Sequence, residues 1–208
     1  MIENVEDQLI EFIKIEMQQD LAHDINHVFR VVNIAKELCL CEGANMEILL
    51  PAAYLHDCFS FAKNHPDRAQ SSLYAADKAI TFLASIYYPV ALLPAIHHAI
   101  VAHSYSANVE PKSVEAQIVQ DADRLDALGA IGIARCIQVS TRLGVNLYCN
   151  DDPLCQFRQP DDTQYALDHF KTKLFNLAES MHTQSAKIEA KKRTEFMKIY
   201  LAQLNNEI

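Results

Sequence analysis

Apolar side chains recur every three or four positions along nearly the whole chain, and runs of strict alternation are scarce. A period near 3.6 buries one stripe of a helix, whereas a period of two lines one face of a strand, so the pattern predicts an all-α protein. Helices are expected at about 3–19, 24–40, 45–58, 67–86, 90–102, 114–142, 163–179 and 183–204, the sixth broken near Gly129 to Gly132. In the second, Val28, Val31, Val32, Ile34, Ala35 and Leu38 form a broad apolar face with His27 in the first turn. Pro51 lacks an amide hydrogen and fits best at the start of a helical piece running AAYLHDC. Asn64, His65 and Pro66 break the chain, and residues 144–162 form a long irregular segment suited to the rim of a pocket. In the last helix Ile188, Phe196, Ile199 and Tyr200 lie broadly on one side, with Glu189 and Arg193 one turn apart. That helix reads as one that docks and seals the core.

Composition narrows the class. The 208 residues, half of them apolar, suit a single globular domain over 1–208, with enough chain for a hydrophobic core. A formal charge of −9 disfavours general nucleic-acid binding, which needs lysine and arginine to neutralise phosphates. No apolar run reaches the roughly 20 residues of a membrane span. The first residues are charged and periodic, unlike a secretory leader, so no membrane association and a cytoplasmic location are expected. Cysteines 39, 41, 58, 136, 149 and 155 lack paired CxxC spacing and read as small buried hydrophobes in a reducing compartment. Gly129 and Gly132 read as permitting close helix packing, since no lysine-containing, glycine-rich phosphate loop is present.

Four metal-ligand types stand out: His27, the adjacent His56 and Asp57, and Asp123. Imidazole and carboxylate together make a mixed nitrogen and oxygen site suited to a catalytic divalent ion. On a helix His56 and Asp57 would diverge by about 100°, yet both can reach an ion lying beside it. Each residue also has a plainer reading, as a satisfied structural histidine, a common dipeptide or a solvated acidic turn. Against this, buried imidazoles and charges need partners or a metal, and these interrupt otherwise apolar runs.

The segments AHDINHVFRV, LHD and DADRLDALGAIGIAR resemble the HD-domain superfamily of metal-dependent phosphohydrolases, whose motif is H…HD…D. The resemblance covers essentially the whole chain and is nearest to the single-domain bacterial branch that includes nucleoside-triphosphate pyrophosphohydrolases. It implies an all-α, bundle-like HD fold, with the metal-site core at about 20–130 and additional C-terminal helices at about 160–205. It implies His27, His56, Asp57 and Asp123 as ligands, with Mn²⁺ favoured and Mg²⁺, Fe²⁺, Co²⁺ or Zn²⁺ as alternatives.

Two further stretches are family-like: FAKNHPDRAQSS, with Lys63 and Arg68, and HHAIVAHSYS, with His98, His103 and Ser104. Lys63 could neutralise a substrate phosphate as a mobile point charge. A helix at 90–102 puts His97 and His98 on different faces, so His97 reads as structural and His98 and His103 as pocket candidates. His23 and Asp24 could orient a ligand or the attacking water, although Asp24 also suits a helix cap. Arg124, beside Asp123, could contact phosphate or balance local acid, and Asp126 lies one turn after Asp123. Tyr148 and Phe157 could stack on a base or merely anchor packing. The expected activity is hydrolysis of a small phosphate compound, in its narrow form a (deoxy)nucleoside triphosphate cleaved to monophosphate and pyrophosphate. Asp57, His23, Asp24 and His103 are the expected catalytic groups; Lys63, Arg68, His98, His103 and Arg124 are the expected substrate contacts. The alternatives are a nucleoside-monophosphate phosphatase, a non-catalytic nucleotide or metal sensor, and a purely structural helical protein. The assembly is expected to be a monomer or homodimer.

Overall fold

The computed structural model describes residues 2–17, 24–62 and 65–208. Among the described residues are nine α-helices and no β-strand beyond one isolated bridge between Asn146 and Tyr165. The chain divides into two compact units, Met1–Asp123 and Arg124–Ile208, the division falling within the sixth helix.

The first unit is built around α3 (Met46–Leu55), which packs against α1 (Ile2–Glu16), α2 (Ile25–Glu42), α4 (Ser71–Ser85) and α5 (Leu93–His103). Every residue of α3 from Leu49 to Leu55 is buried, the mark of a helix that is apolar all round and enclosed by others. Asp24 caps α2 by accepting the His27 amide at 2.7 Å, and the helix stops at Gly43, whose left-handed φ of 69° lets its N–H return to Cys39 O. The buried face of α2 carries the predicted valines together with His27.

Pro51 lies inside α3 rather than at its start. It leaves the Glu47 carbonyl without its helical donor, and the Tyr88 hydroxyl takes that place at 2.7 Å. The helix then ends at Leu55, earlier than the pattern implied, so His56 and Asp57 sit on the turn beyond it, His56 still with helical backbone angles of φ −54° and ψ −37°. The helices expected at 67 and 90 both open with 3₁₀ turns, Arg68–Gln70 and Val90–Leu92.

The second unit holds the end of α6 (Val114–Asp126), α7 (Gly129–Arg142), a π-helical turn (Phe170–Leu174), α8 (Phe175–Glu179) and α9 (Gln184–Asn205). The predicted break falls just before Gly129, which adopts a φ of 73° and whose hydrogen faces the Arg193 side chain. A Cβ on Gly132 would meet Ala127 O at 2.2 Å, so this glycine does serve close packing. The helix expected from 163 starts only at 168, because Ala166 and Leu167 donate their amides to Asn146 O and Leu147 O. The irregular segment before it is organised by Arg158, whose Nη2 donates to Asp168 Oδ1 at 2.7 Å while the guanidinium lies over the Tyr165 ring. Asp168 is fully buried.

Three sequence expectations are corrected here. α9 buries Ala186, Ala190, Thr194 and Met197, whereas Ile188 and Ile199 are 64% and 65% exposed and Phe196 is half-exposed. The small residues face inward because the helix sits close against α7 and α8, leaving the larger apolar stripe in solvent. Phe157 is 91% exposed and anchors nothing. Cys41 is exposed and Cys149 half-buried, while Cys39, Cys58, Cys136 and Cys155 are buried, all as free thiols. Among the described residues no helix is long and apolar enough to cross a membrane.

Candidate metal centre

Four elements of the first unit converge on one point. His27 comes from the first turn of α2, His56 and Asp57 from the turn after α3, His103 from the last residue of α5, and Asp123 from α6. His27, His56 and His103 are buried, Asp57 is mostly buried, and Asp123 is about one-third exposed, so the cluster opens on the carboxylate side.

Backbone carbonyls fix two of the rings. His56 Nδ1 lies 2.8 Å from Ala53 O and His103 Nδ1 lies 2.6 Å from Ile100 O. A carbonyl can only accept, so each ring carries its hydrogen on Nδ1 and turns Nε2 inward. Both acceptors belong to the last turn of a helix, where carbonyls lack an i+4 amide. Around Asp57 the inward atoms close up: His56 Nε2 stands 3.6 Å and His27 Nε2 3.8 Å from Oδ2, and His103 Nε2 3.5 Å from Oδ1. His27 Nε2 is also 3.3 Å from Asp123 Oδ1.

Burial pushes the His56 imidazole down to about 4, with His103 and His27 adding to the effect and the Asp57 and Asp123 charges opposing it. Its ring is therefore neutral near pH 7, with a lone pair on Nε2. For Asp123, burial opposes ionisation, but the hydrogen bond and charge of His27, backed by His56 and His103, hold the carboxyl well below the usual range. Burial also works against a charge on His103, yet its hydrogen bond and attraction to Asp57 outweigh this and raise it.

This donor set fits a divalent cation. Ligands about 2.1 Å from an octahedral ion stand about 3 Å apart, and the observed separations are close to that. One ligand atom from each of His27, His56 and Asp57 lies within 4.8 Å of the others. The buried His56 Nε2 has no hydrogen-bond partner among the described residues, a cost that a cation would remove.

The other predicted residues divide. Asp24 is engaged as the helix cap, with its second oxygen accepting from Asn26 Nδ2 at 3.3 Å, so it positions the turn that bears His27. Arg68 donates to Phe61 O and Ser60 Oγ. His98 accepts the Lys112 amide at 3.0 Å and is not brought into the cluster, lying 500° of helical rotation before His103 in steps of about 100°. Arg124 donates to Ser180 O at 2.6 Å. His97 pairs with Asp77 at 3.0 Å, in keeping with a structural role, and Asp126 is buried against Arg135 at 2.6 Å. His23 and Lys63 lie outside the described residues.

Sequence reasoning missed Gln120. Buried one turn before Asp123, it donates to Ala102 O at 2.6 Å and so ties α6 to the residue preceding His103. Its signal was a polar side chain on an otherwise apolar helical face, overshadowed by the acidic residues that follow.

Residues 24–128 match the family model of the HD domain, a span that contains His27, His56, Asp57, His103 and Asp123. The chain belongs to the HD-domain family of metal-dependent phosphohydrolases. Among curated proteins this HD protein is 33% identical over 192 residues to uncharacterized protein YpgQ of Bacillus subtilis strain 168, covering 89% of this chain and 84% of that one. Among solved structures it is similar to B. subtilis YpgQ in complex with ADP, with 31% identity, a TM-score of 0.74 and coverage of 97% and 94% of the two chains. An HD-superfamily hydrolase from Bacillus thuringiensis matches at 33% identity and a TM-score of 0.75, over 99% of this chain and 96% of that one.

Proposed function

We propose that this HD protein hydrolyses a (deoxy)nucleoside triphosphate at the α-phosphorus, giving the monophosphate and pyrophosphate, with a divalent ion, Mn²⁺ favoured, held by His27, His56, Asp57 and Asp123. The observation that carries the reading is the convergence of three inward Nε2 atoms and two carboxylates at separations of 3.3–3.8 Å. The nucleotide part draws support from YpgQ, a relative of similar fold that has been crystallised with ADP.

When bound, a divalent ion supplies positive charge to a phosphoryl oxygen and acidifies nearby water. The chain supplies the rest. Asp57 faces the Nε2 atoms of all three histidines, so its carboxylate and the imidazoles share one point. His103, its Nδ1 hydrogen given to Ile100 O, turns Nε2 to within 3.5 Å of Asp57 Oδ1; protonated on both nitrogens, it can offer the Nε2 proton to a substrate oxygen. Arg68 is anchored by Phe61 O and carries further N–H groups for the outer phosphates. Lys63 precedes it in the sequence as a second cation, His23 is a further catalytic candidate, and Asp24 caps the start of α2.

The test is quantitative ³¹P NMR on protein stripped of metal and resupplied with Mn²⁺, offered a panel of nucleoside mono- and triphosphates. Wild type is expected to release pyrophosphate and monophosphate from deoxynucleoside triphosphates. Asp57→Asn keeps the side-chain shape and removes the charge, and should lower kcat by about 10³-fold. Orthophosphate released from monophosphates would move the reading to a phosphatase, and undiminished turnover in Asp57→Asn at equal metal loading would overturn the ligand assignment.

A further inference from the structure

Beyond the ligand pair the chain runs straight into aromatic residues. Phe59 and Phe61 follow Asp57 by two and four residues, and their rings meet edge to face with centroids 4.9 Å apart at 88°. Each begins a stack. Phe61 lies parallel to His65, 4.3 Å between centroids at 10°, and Phe59 lies against Tyr74 of α4 at 5.7 Å and 30°. Phe61 and Tyr74 meet at 77°, so the two stacks stand almost at right angles and make a corner. The outer rings are open to solvent: the His65 side chain is 39% exposed and Tyr74 is 48% exposed.

This corner is held in place. The Phe61 amide donates to Ser71 Oγ at 3.1 Å, and the Phe61 carbonyl accepts from Arg68. The Asp67 amide donates to His65 Nδ1 at 3.1 Å, which fixes the ring and, in its neutral form, places the hydrogen on Nε2. A flat ring so oriented, with one face already covered by Phe61, presents its other face as a prepared stacking surface. Four peptide steps of 3.8 Å keep Phe61 within about 15 Å of Asp57, a span that a nucleotide can bridge from phosphate to base.

Resting on the nucleotide reading above, we propose that the nucleobase of the substrate stacks on the outer face of His65 and extends the Phe61–His65 stack. The recognition is of a planar heterocycle, tolerant of base identity, because every base offers a π-face and stacking needs no hydrogen-bond pattern. The phosphates then run back along the Arg68 side of the loop toward the ligand pair.

The experiment is calorimetric titration of the full-length, Mn²⁺-loaded protein with deoxyadenosine monophosphate and with deoxyribose 5-phosphate, which lacks the base. Wild type should bind the nucleotide about tenfold more tightly than the sugar phosphate. His65→Ala, at an exposed loop position, should lose that preference and leave sugar-phosphate binding unchanged, and His65→Phe should retain it. Equal affinity of wild type for the two compounds overturns the proposal. So does a His65→Ala variant that keeps the tenfold preference or weakens both compounds alike. Because binding is read without turnover, failure here is separate from failure of the triphosphate reading, which the ³¹P measurement decides.

Discussion

His56 and His103 meet edge to face, their ring centroids 4.9 Å apart at 84°, each giving its Nδ1 hydrogen to the carbonyl three residues before it. The two rings thus lock each other and are locked by the backbone, and their Nε2 atoms are aimed before any cation arrives. Little ordering entropy is left to lose when a metal binds.

The same rings set how the metal-free protein responds to acid. His56, held to about 4 by burial, takes its proton near 6.5 in the unfolded chain, so falling pH favours unfolding between about 6.5 and 4. His103 is raised and works the other way, adding stability as pH falls toward 6.5. Urea titrations of metal-free protein should show stability falling from pH 6.5 to 5, with a shallower fall in His56→Gln. An identical slope in the variant would contradict the buried, neutral state of His56.

Arg158 and Asp168 offer a stability test away from the site. Arg158→Met leaves the buried Asp168 carboxylate without its guanidinium and should cost about 3 kcal/mol in urea unfolding. Asp161 N–H still donates to Asp168 at 2.6 Å, so the loss should be large but incomplete. A change below about 0.5 kcal/mol would show that the pair contributes nothing net.

The two faces of α9 predict opposite outcomes from similar substitutions. Met197 is fully buried, and Met197→Ala should destabilise by about 2–5 kcal/mol. Ile199→Ser, on the exposed stripe, should stay within about 0.5 kcal/mol of wild type, as read from paired denaturation curves. Equal effects would mean that α9 turns a different face inward.

The helices and the residues of the candidate metal centre were largely legible because both are written in local terms. A 3.6 period marks a helix wherever a core exists to face, and His27, His56, Asp57 and Asp123 each interrupt such a period. What escaped was set by tertiary contact. Pro51 sits mid-helix, and Tyr88, 37 positions further on, supplies the donor it lacks. The helix expected from 163 yielded to amides already committed to Asn146 and Leu147. On α9 the larger apolar residues signalled the wrong face, since close approach to neighbouring helices selected alanine instead. His98 had the right chemistry, but rotation about α5 directs it elsewhere.

The missing rung at Pro51 interrupts the hydrogen-bond ladder of α3. The first turn is tied through Glu47 O to Tyr88, just beyond the end of α4, while the last turn leads into His56 and Asp57 and is enclosed by buried residues. The place of His56 and Asp57 beyond the far end of the helix thus rests on the packing around the last turn and on the Ala53 carbonyl, rather than on an unbroken ladder.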